Sequence, residues 1–302
     1  MRPWDDHERK GHDPQPGEVV VRMLVAYDGS AYSGVAEQRQ RPTVAGALAD
    51  VMAPVLGARP RLAIAGRTDA GVHAYGQVFS AAMDARRARP ERLVGAVGAG
   101  VSPTIALRAV EHAPQGFHAR HSALARRYRY LVRSAPHVDP LRAATQWHVR
   151  APISLDALRS TVEAVVGEHD FAAFCRRPPE TQWRSAETGV TETHRGSTRR
   201  VVSEATWHEL DDATLLFEIE ASSFCQQMVR SLVGAMVDVG RARLSAARFR
   251  DHLRDPSMHC SATRAPAHGL ALVGVRYPDG FGEPFVDPRR GPGGLPARWP
   301  DP

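Results

Sequence analysis

The sequence predicts an α+β protein made of two ferredoxin-like (β-α-β-β-α-β) halves, joined into one mixed, mainly antiparallel sheet with helices on one face and a central cleft. Three observations lead there. Runs with apolar residues at strand spacing alternate with runs at helical spacing. The elements between Glu18 and Val110 follow the order β-α-β-β-α-β. That order returns, with one extra helix, between Arg127 and Tyr277. Units of this kind carry their helices on one face, so two set side by side leave a cleft across the joined sheets in which a polyanion fits.

Glu18 to Tyr27 is a β-rich apolar run that stops at the turn residues Asp28-Gly29-Ser30. Thr43 to Leu56 sets Val44, Leu48, Val51, Met52 and Val55 on one helical face, with Thr43 as its N-cap. Two short strands, Arg61 to Ala65 and Gln77 to Ala82, flank a glycine-rich loop; a helix from Pro90 to Val97 and a strand from Ile105 to Val110 complete the first half. The second half reads as a strand Arg127 to Arg133, a helix Ser154 to Val166, strands Arg199 to His208 and Thr214 to Ala221, helices Phe224 to Val239 and Ser245 to Leu253, and a strand Ala271 to Tyr277. The predicted organisation is a flexible tail at 1–17, an N-terminal half at 18–116, a C-terminal half at 117–279 and a second flexible tail at 280–302. Both tails are polar and proline-bearing, too poor in apolar residues to fold on themselves.

With 302 residues, 43% hydrophobic and 24% charged, the chain has enough apolar surface to bury real cores. No run of about 18 apolar residues occurs, and the charges at the start of the chain are not followed by an apolar segment, so no membrane partner is expected and the reading is cytoplasmic. Cys175, Cys225 and Cys260 stand far apart with no CxxC spacing, and are expected to be reduced and structural. The net charge of +6 and pI near 9.7 suit a polyanionic partner without identifying one. Lys10 is the only lysine, and it lies in the first tail, which excludes a Schiff-base or Walker A lysine. His73, His118, His121 and His169 do not fall at metal-ligand spacings, so no metal site is expected.

The loop of the first half, Gly66-Arg67-Thr68-Asp69-Ala70-Gly71-Val72-His73, gathers a carboxylate, a guanidinium and two glycines. Glycines let the backbone approach a ligand or take φ > 0, which displays a short side chain such as Asp69 at the tip of a turn. A carboxylate in a turn also caps a backbone N–H, and spacing alone does not separate these roles.

The wording of the loop, Ala65-Gly66-Arg67-Thr68-Asp69-Ala70-Gly71-Val72-His73-Ala74 followed by Gly76-Gln77-Val78, resembles the signature of the TruA family of tRNA pseudouridine synthases. The resemblance continues through Tyr27-Asp28-Gly29-Ser30 with Gly34, Thr43-Val44, Phe117 to Ala123 leading into Ala125-Arg126-Arg127-Tyr128-Arg129-Tyr130, Gly167-Glu168-His169-Asp170-Phe171 with Phe174-Cys175, Phe224 with Met228-Val229-Arg230, and Ala265-Pro266 with Gly269-Leu270. It spans about Glu18 to Pro278.

The resemblance implies an isomerase that converts uridine to pseudouridine in the anticodon stem-loop of tRNA, at tRNA positions 38–40, without a cofactor and as a homodimer. The cleft then becomes an RNA-binding one. Asp69 is implied as the nucleophile, Tyr128 as the ring that stacks on the target base and the candidate general base, Arg230 as the partner of Asp69, and Arg67 as the side chain that helps flip the base. Such chemistry needs the base out of its stack and a carboxylate able to bond covalently. Arg120, Arg126, Arg127 and Arg129 surround Tyr128 and are expected on RNA phosphates. From spacing alone, Tyr128 alternating with Tyr130 also fits a strand with one ring in the core and one outward. Arg230, inside an apolar helical pattern, also fits an arginine reaching solvent from the helix edge.

The chain departs from the family wording at Gly34-Val35-Ala36-Glu37-Gln38, at Thr43-Val44-Ala45-Gly46 and at Gly98-Ala99-Gly100-Val101-Ser102-Pro103. These substitutions motivate an alternative, a diverged paralogue that binds RNA with little or no synthase activity. A third reading, a cofactor-free hydrolase using Asp69 as base, lacks a second carboxylate or triad at recognisable spacing.

Overall fold

A computed structural model of the chain describes residues 13–176, 180–184, 191–211, 213–255, 257–258, 260 and 262–281. Most of the two expected tails, 1–12 and 282–302, lies outside the described residues. The described chain is α+β and falls into two compact units, one of residues 1–129 with 267–302, the other of residues 130–266.

In the first unit the elements are β1 (Glu18–Tyr27), α1 (Val44–Leu56), β2 (Ala63–Ile64), β3 (His73–Asp84), α2 (Pro90–Val101), β4 (Ile105–His112) and the opening residues of β5 (Ala125–Ser134), which runs on into the second unit. β1 is antiparallel to both β3 and β4, with Met23 opposite Phe79 on one side and Val110 on the other. Thr43 caps α1 as expected: its hydroxyl accepts the Gly46 N–H at 3.2 Å. Val44, Leu48 and Met52 are buried from that helix. Successive strand residues bury on opposite faces. Leu24 and Val78 join Ala63, Ala65, Phe117 and Ala119 in a core cluster, while Met23 and Val25 are fully buried on the other face. The folded unit reaches past the expected ends, because Ala85 N–H donates to Gly17 O at 3.0 Å and the Phe281 ring lies 5.5 Å from Phe117.

β12 (Leu270–Arg276) belongs to the first unit, where it pairs parallel with β3, Ala271 opposite His73 and Leu272 opposite Ala74. β2 is only two residues long and pairs with the far end of β3, at Phe79 and Ser80, so the rest of that edge is open to β12. Periodicity assigns a strand but does not name its neighbour, and a parallel partner can come from anywhere in the chain.

The second unit holds the end of β5, β6 (Trp147–Val149), α3 (Leu155–Val165), β7 (Gly167–Asp170), a separate hairpin β8 (Glu180–Arg184) and β9 (Thr191–Arg195), β10 (Arg199–Asp211), β11 (Thr214–Ala221), α4 (Met228–Gly240) and α5 (Ala246–Arg254). Its strands run in the order β5-β11-β10-β7, with β6 parallel on β5. β6, β7 and the hairpin were not expected; all are short. α4 starts at Met228, later than its apolar pattern suggested, after Gln227 at φ 68°.

Cys175 and Cys225 form a disulfide, which corrects the expectation of three reduced cysteines. They are 50 residues apart, yet the chain after Phe174 lies beside the start of α4, where Arg176 N–H donates to Gln226 O at 3.0 Å, and the two Cα atoms are 5.8 Å apart. Spacing cannot show a closure that depends on where two loops meet. No helix among the described residues is long and apolar enough to cross a membrane.

α4 is buried nearly all round, and one glycine makes that possible. A Cβ on Gly234 would stand 1.7 Å from the Thr263 carbonyl oxygen and 3.1 Å from the Ala265 nitrogen, so backbone rather than a movable side chain blocks it. Gly234→Ala is expected to lower stability by roughly 2–3 kcal/mol, read as a fall in the urea midpoint.

Candidate active site

The Asp69 turn is shorter than expected, because Val72 leads directly into β3 at His73. Its backbone is closed by the Val72 N–H donating to Asp69 O at 3.1 Å, and Asp69 itself is half-buried. Of the two glycines, Gly71 has φ 77°, the left-handed region that favours glycine, whereas Gly66 is needed for neither φ nor space. A Cβ on Gly66 would meet Arg126 Cγ and the Tyr128 hydroxyl at 3.7 Å, which places Tyr128 against the loop.

Several side chains hold this turn by its backbone. Gln77, fully buried on β3, accepts the Gly66 N–H at 3.2 Å and donates to Gly66 O at 2.7 Å, and its amide also reaches the Tyr27 hydroxyl at 3.3 Å. Tyr27 and Thr68 share a hydroxyl bond of 2.7 Å. Burial pushes the Tyr27 phenol up to about 12, against the lowering effect of Thr68 and Gln77, so it enters this network neutral. Val35 N–H donates to Thr68 O at 3.2 Å and Val35 is fully buried, so the departure at Val35 packs behind the Asp69 turn. Past the turn, His73 Nδ1 accepts the Gly29 N–H at 3.1 Å and lies 3.1 Å from the Asp28 carboxylate. Desolvation raises the Asp28 carboxyl, but the bonds from Ser30, with a smaller contribution from His73, outweigh it and leave it below its ordinary value.

On β5, Tyr128 is 6% exposed and Tyr130 fully buried, so the expected in-and-out pair is corrected: residues two apart on a strand share a face, and this face is covered, as is the other at Arg129 and Leu131. Burial lifts the Tyr128 phenol far above its ordinary value; Tyr27 and Asp69 add to this, and Arg126 opposes it. The phenol is therefore neutral at pH 7. Of the four arginines expected on RNA phosphates, Arg126 and Arg129 are buried, Arg127 is half-buried and Arg120 is exposed; Arg67 is exposed too. Arg126 turns inward, with Nε and Nη2 donating to Ala65 O at 3.0 and 2.8 Å, Nη2 to Arg120 O at 2.9 Å and Nη1 to Ala123 O at 3.1 Å.

In the second unit Arg230 is the third residue of α4 and half-buried. Its Nε donates to Ala265 O at 2.8 Å, while the Ala265 N–H donates to Arg230 O at 3.1 Å, so side chain and backbone are fixed by the same residue. The Tyr130 hydroxyl, donating to Pro266 O at 2.8 Å, holds the next residue. Among the described residues, no group of three His, Cys, Asp or Glu side chains is placed to hold a metal ion.

Sequence reasoning singled out Asp69 and Tyr128 and missed the role of Gln77. Its signal was present: a carboxamide between Gly76 and Val78 in an apolar strand needs buried partners.

An aspartate held on a backbone-clamped turn beside a buried tyrosine fits an enzyme that attacks through a carboxylate, and residues 162–278 match the family described as tRNA pseudouridine synthase. Beyond that stretch, the chain is 39% identical over 278 residues to tRNA pseudouridine synthase A of Streptomyces griseus subsp. griseus, covering 87% of this chain and 90% of that one. It is 38% identical over 273 residues to the protein of that name from Frankia casuarinae, with the same coverage, and 36% identical over 274 residues to that from Cupriavidus necator, covering 89% and 94%. This chain belongs to the tRNA pseudouridine synthase A family.

Proposed function

We propose that this chain isomerises uridine to pseudouridine in tRNA, at positions 38–40 of the anticodon stem-loop, with Asp69 as nucleophile. The observation that carries the reading is the Asp69 turn: a carboxylate on a turn whose Thr68 side chain is held by Tyr27, and whose Gly66 and Ala65 carbonyls are held by Gln77 and Arg126, with the Tyr128 hydroxyl against Gly66. Rigid placement of this kind is what a covalent step requires.

The reaction is balanced without a cofactor. The N1–C1′ bond breaks, the base turns, a C5–C1′ bond forms, the C5 proton leaves and N1 gains one. Asp69 bonds either to C6 of the ring or to C1′ of the sugar. Tyr128 stacks on the flipped base and takes the C5 proton. Tyr128 accepts that proton as the phenolate; burial is the main obstacle to its ionisation and the Asp69 charge a lesser one, so an ester at Asp69 removes the lesser one and eases loss of the phenol proton. Arg230 is assigned to Asp69 as its ionic partner on the family resemblance. Arg67, Arg120 and Arg127 are assigned to the RNA, consistent with the exposure of Arg67 and Arg120 and the partial exposure of Arg127. The fuller picture of two ferredoxin-like halves around an RNA-binding cleft, a homodimer and a cytoplasmic enzyme rests on the same resemblance.

The test is tritium release from tRNA labelled at uridine C5, with mapping of the product to positions 38–40. Release at those positions is expected. Tight tRNA binding without release would favour the diverged RNA-binding paralogue instead, and no binding at modest salt would sink both.

A further inference from the structure

Arg126 carries chemistry that a phosphate contact does not explain. A guanidinium that neutralises RNA phosphates stands in solvent, whereas Arg126 is 9% exposed and burial lowers its affinity for its proton. Its fork is spread over three backbone carbonyls, those of Ala65, Arg120 and Ala123. Two of these bonds converge on Ala65 O, one residue before Gly66 and four before Asp69, and Arg126 itself stands two residues before Tyr128 on β5. One side chain thus bridges the strand of the tyrosine and the turn of the aspartate. From β3, Gln77 holds the adjacent residue, Gly66, through both its N–H and its carbonyl.

We propose that Arg126 is a positioning residue: with Gln77 it fixes the Asp69 turn against Tyr128, and it does not contact phosphate. The inference rests on Asp69 and Tyr128 being the reacting pair. Charged donors on carbonyls make stronger bonds than neutral ones. The planar fork gives them a direction that a lysine ammonium, a compact charge on a flexible stem, does not reproduce. A misplacement of about 1 Å costs on the order of 10²-fold in rate.

The two roles separate in Arg126→Lys, which keeps the charge and loses the fork. Positioning predicts a kcat about 10–100-fold lower, with tRNA Kd and the slope of log Kd against log salt both unchanged. A phosphate contact predicts near wild-type turnover for Arg126→Lys, and for Arg126→Gln a salt slope reduced by about 0.7–0.9. Wild-type kcat in Arg126→Lys, or a reduced slope in Arg126→Gln, overturns the proposal. If one variant does not fold, the other decides: Arg126→Gln keeps a donor for Ala65 O without the charge, so lower kcat at an unchanged slope supports positioning there as well. Asp69→Ala is measured alongside. If it stays active, the reading of the site fails; if it is inactive and Arg126→Lys is unimpaired, only the positioning role falls.

Discussion

Asp69→Ala is expected to bind tRNA and release no tritium from C5-labelled uridine, a loss on the order of 10⁴-fold or more, as removal of a covalent nucleophile gives. The bonds that shape the turn come from its backbone and from Thr68, Gln77, Tyr27 and Arg126, so truncating the half-buried Asp69 leaves that scaffold in place. Binding is dominated by phosphate contacts, to which a carboxylate contributes only repulsion, so tRNA affinity should hold or rise slightly. An Asp69→Ala protein that still turned over would remove Asp69 from the reaction.

Tyr128→Phe should separate the ring from the hydroxyl. Phenylalanine keeps the stacking surface, so tRNA affinity should stay near wild type while turnover falls on the order of 10²-fold or more, the usual worth of a general base. Tyr128→Leu loses the ring as well, and should weaken the hold on the flipped base by a further ~10–100-fold, matching ~1–3 kcal/mol of stacking. The phenol is raised far above neutrality by burial. Its ionised fraction therefore grows about tenfold for each pH unit below its pKa, and turnover limited by proton transfer should climb from pH 7 to 9 in the wild type and stay flat in Tyr128→Phe. Full turnover in Tyr128→Phe would assign Tyr128 to stacking alone.

Two of the three departures from family wording changed meaning once placed. Val35 is fully buried behind the Asp69 turn, so that substitution acts on the packing behind that turn. The expected loop from Gly98 is mostly helix, since α2 runs to Val101. Its glycines lowered the helical signal without breaking the turn-to-turn hydrogen bonds. Tyr128 shows the opposite limit. Period two puts both tyrosines on one side of β5, against the in-and-out pair expected, and only the packing of the fold decided that this side is buried.

What the sequence determined by itself was local. β1 runs from Glu18 to Tyr27 as the apolar run predicts, Thr43, Ser154 and Ser245 cap the helices they precede, and the aspartate between two glycines stands in a tight turn. Each depends on neighbours a few residues away, whose spacing the letters display. Only the tertiary structure decided that β12 lies along β3, that Cys175 meets Cys225, and that Arg126 turns in to Ala65. These are contacts between segments dozens to hundreds of residues apart, chosen by which buried edges and polar groups remain to be satisfied once the local elements have packed.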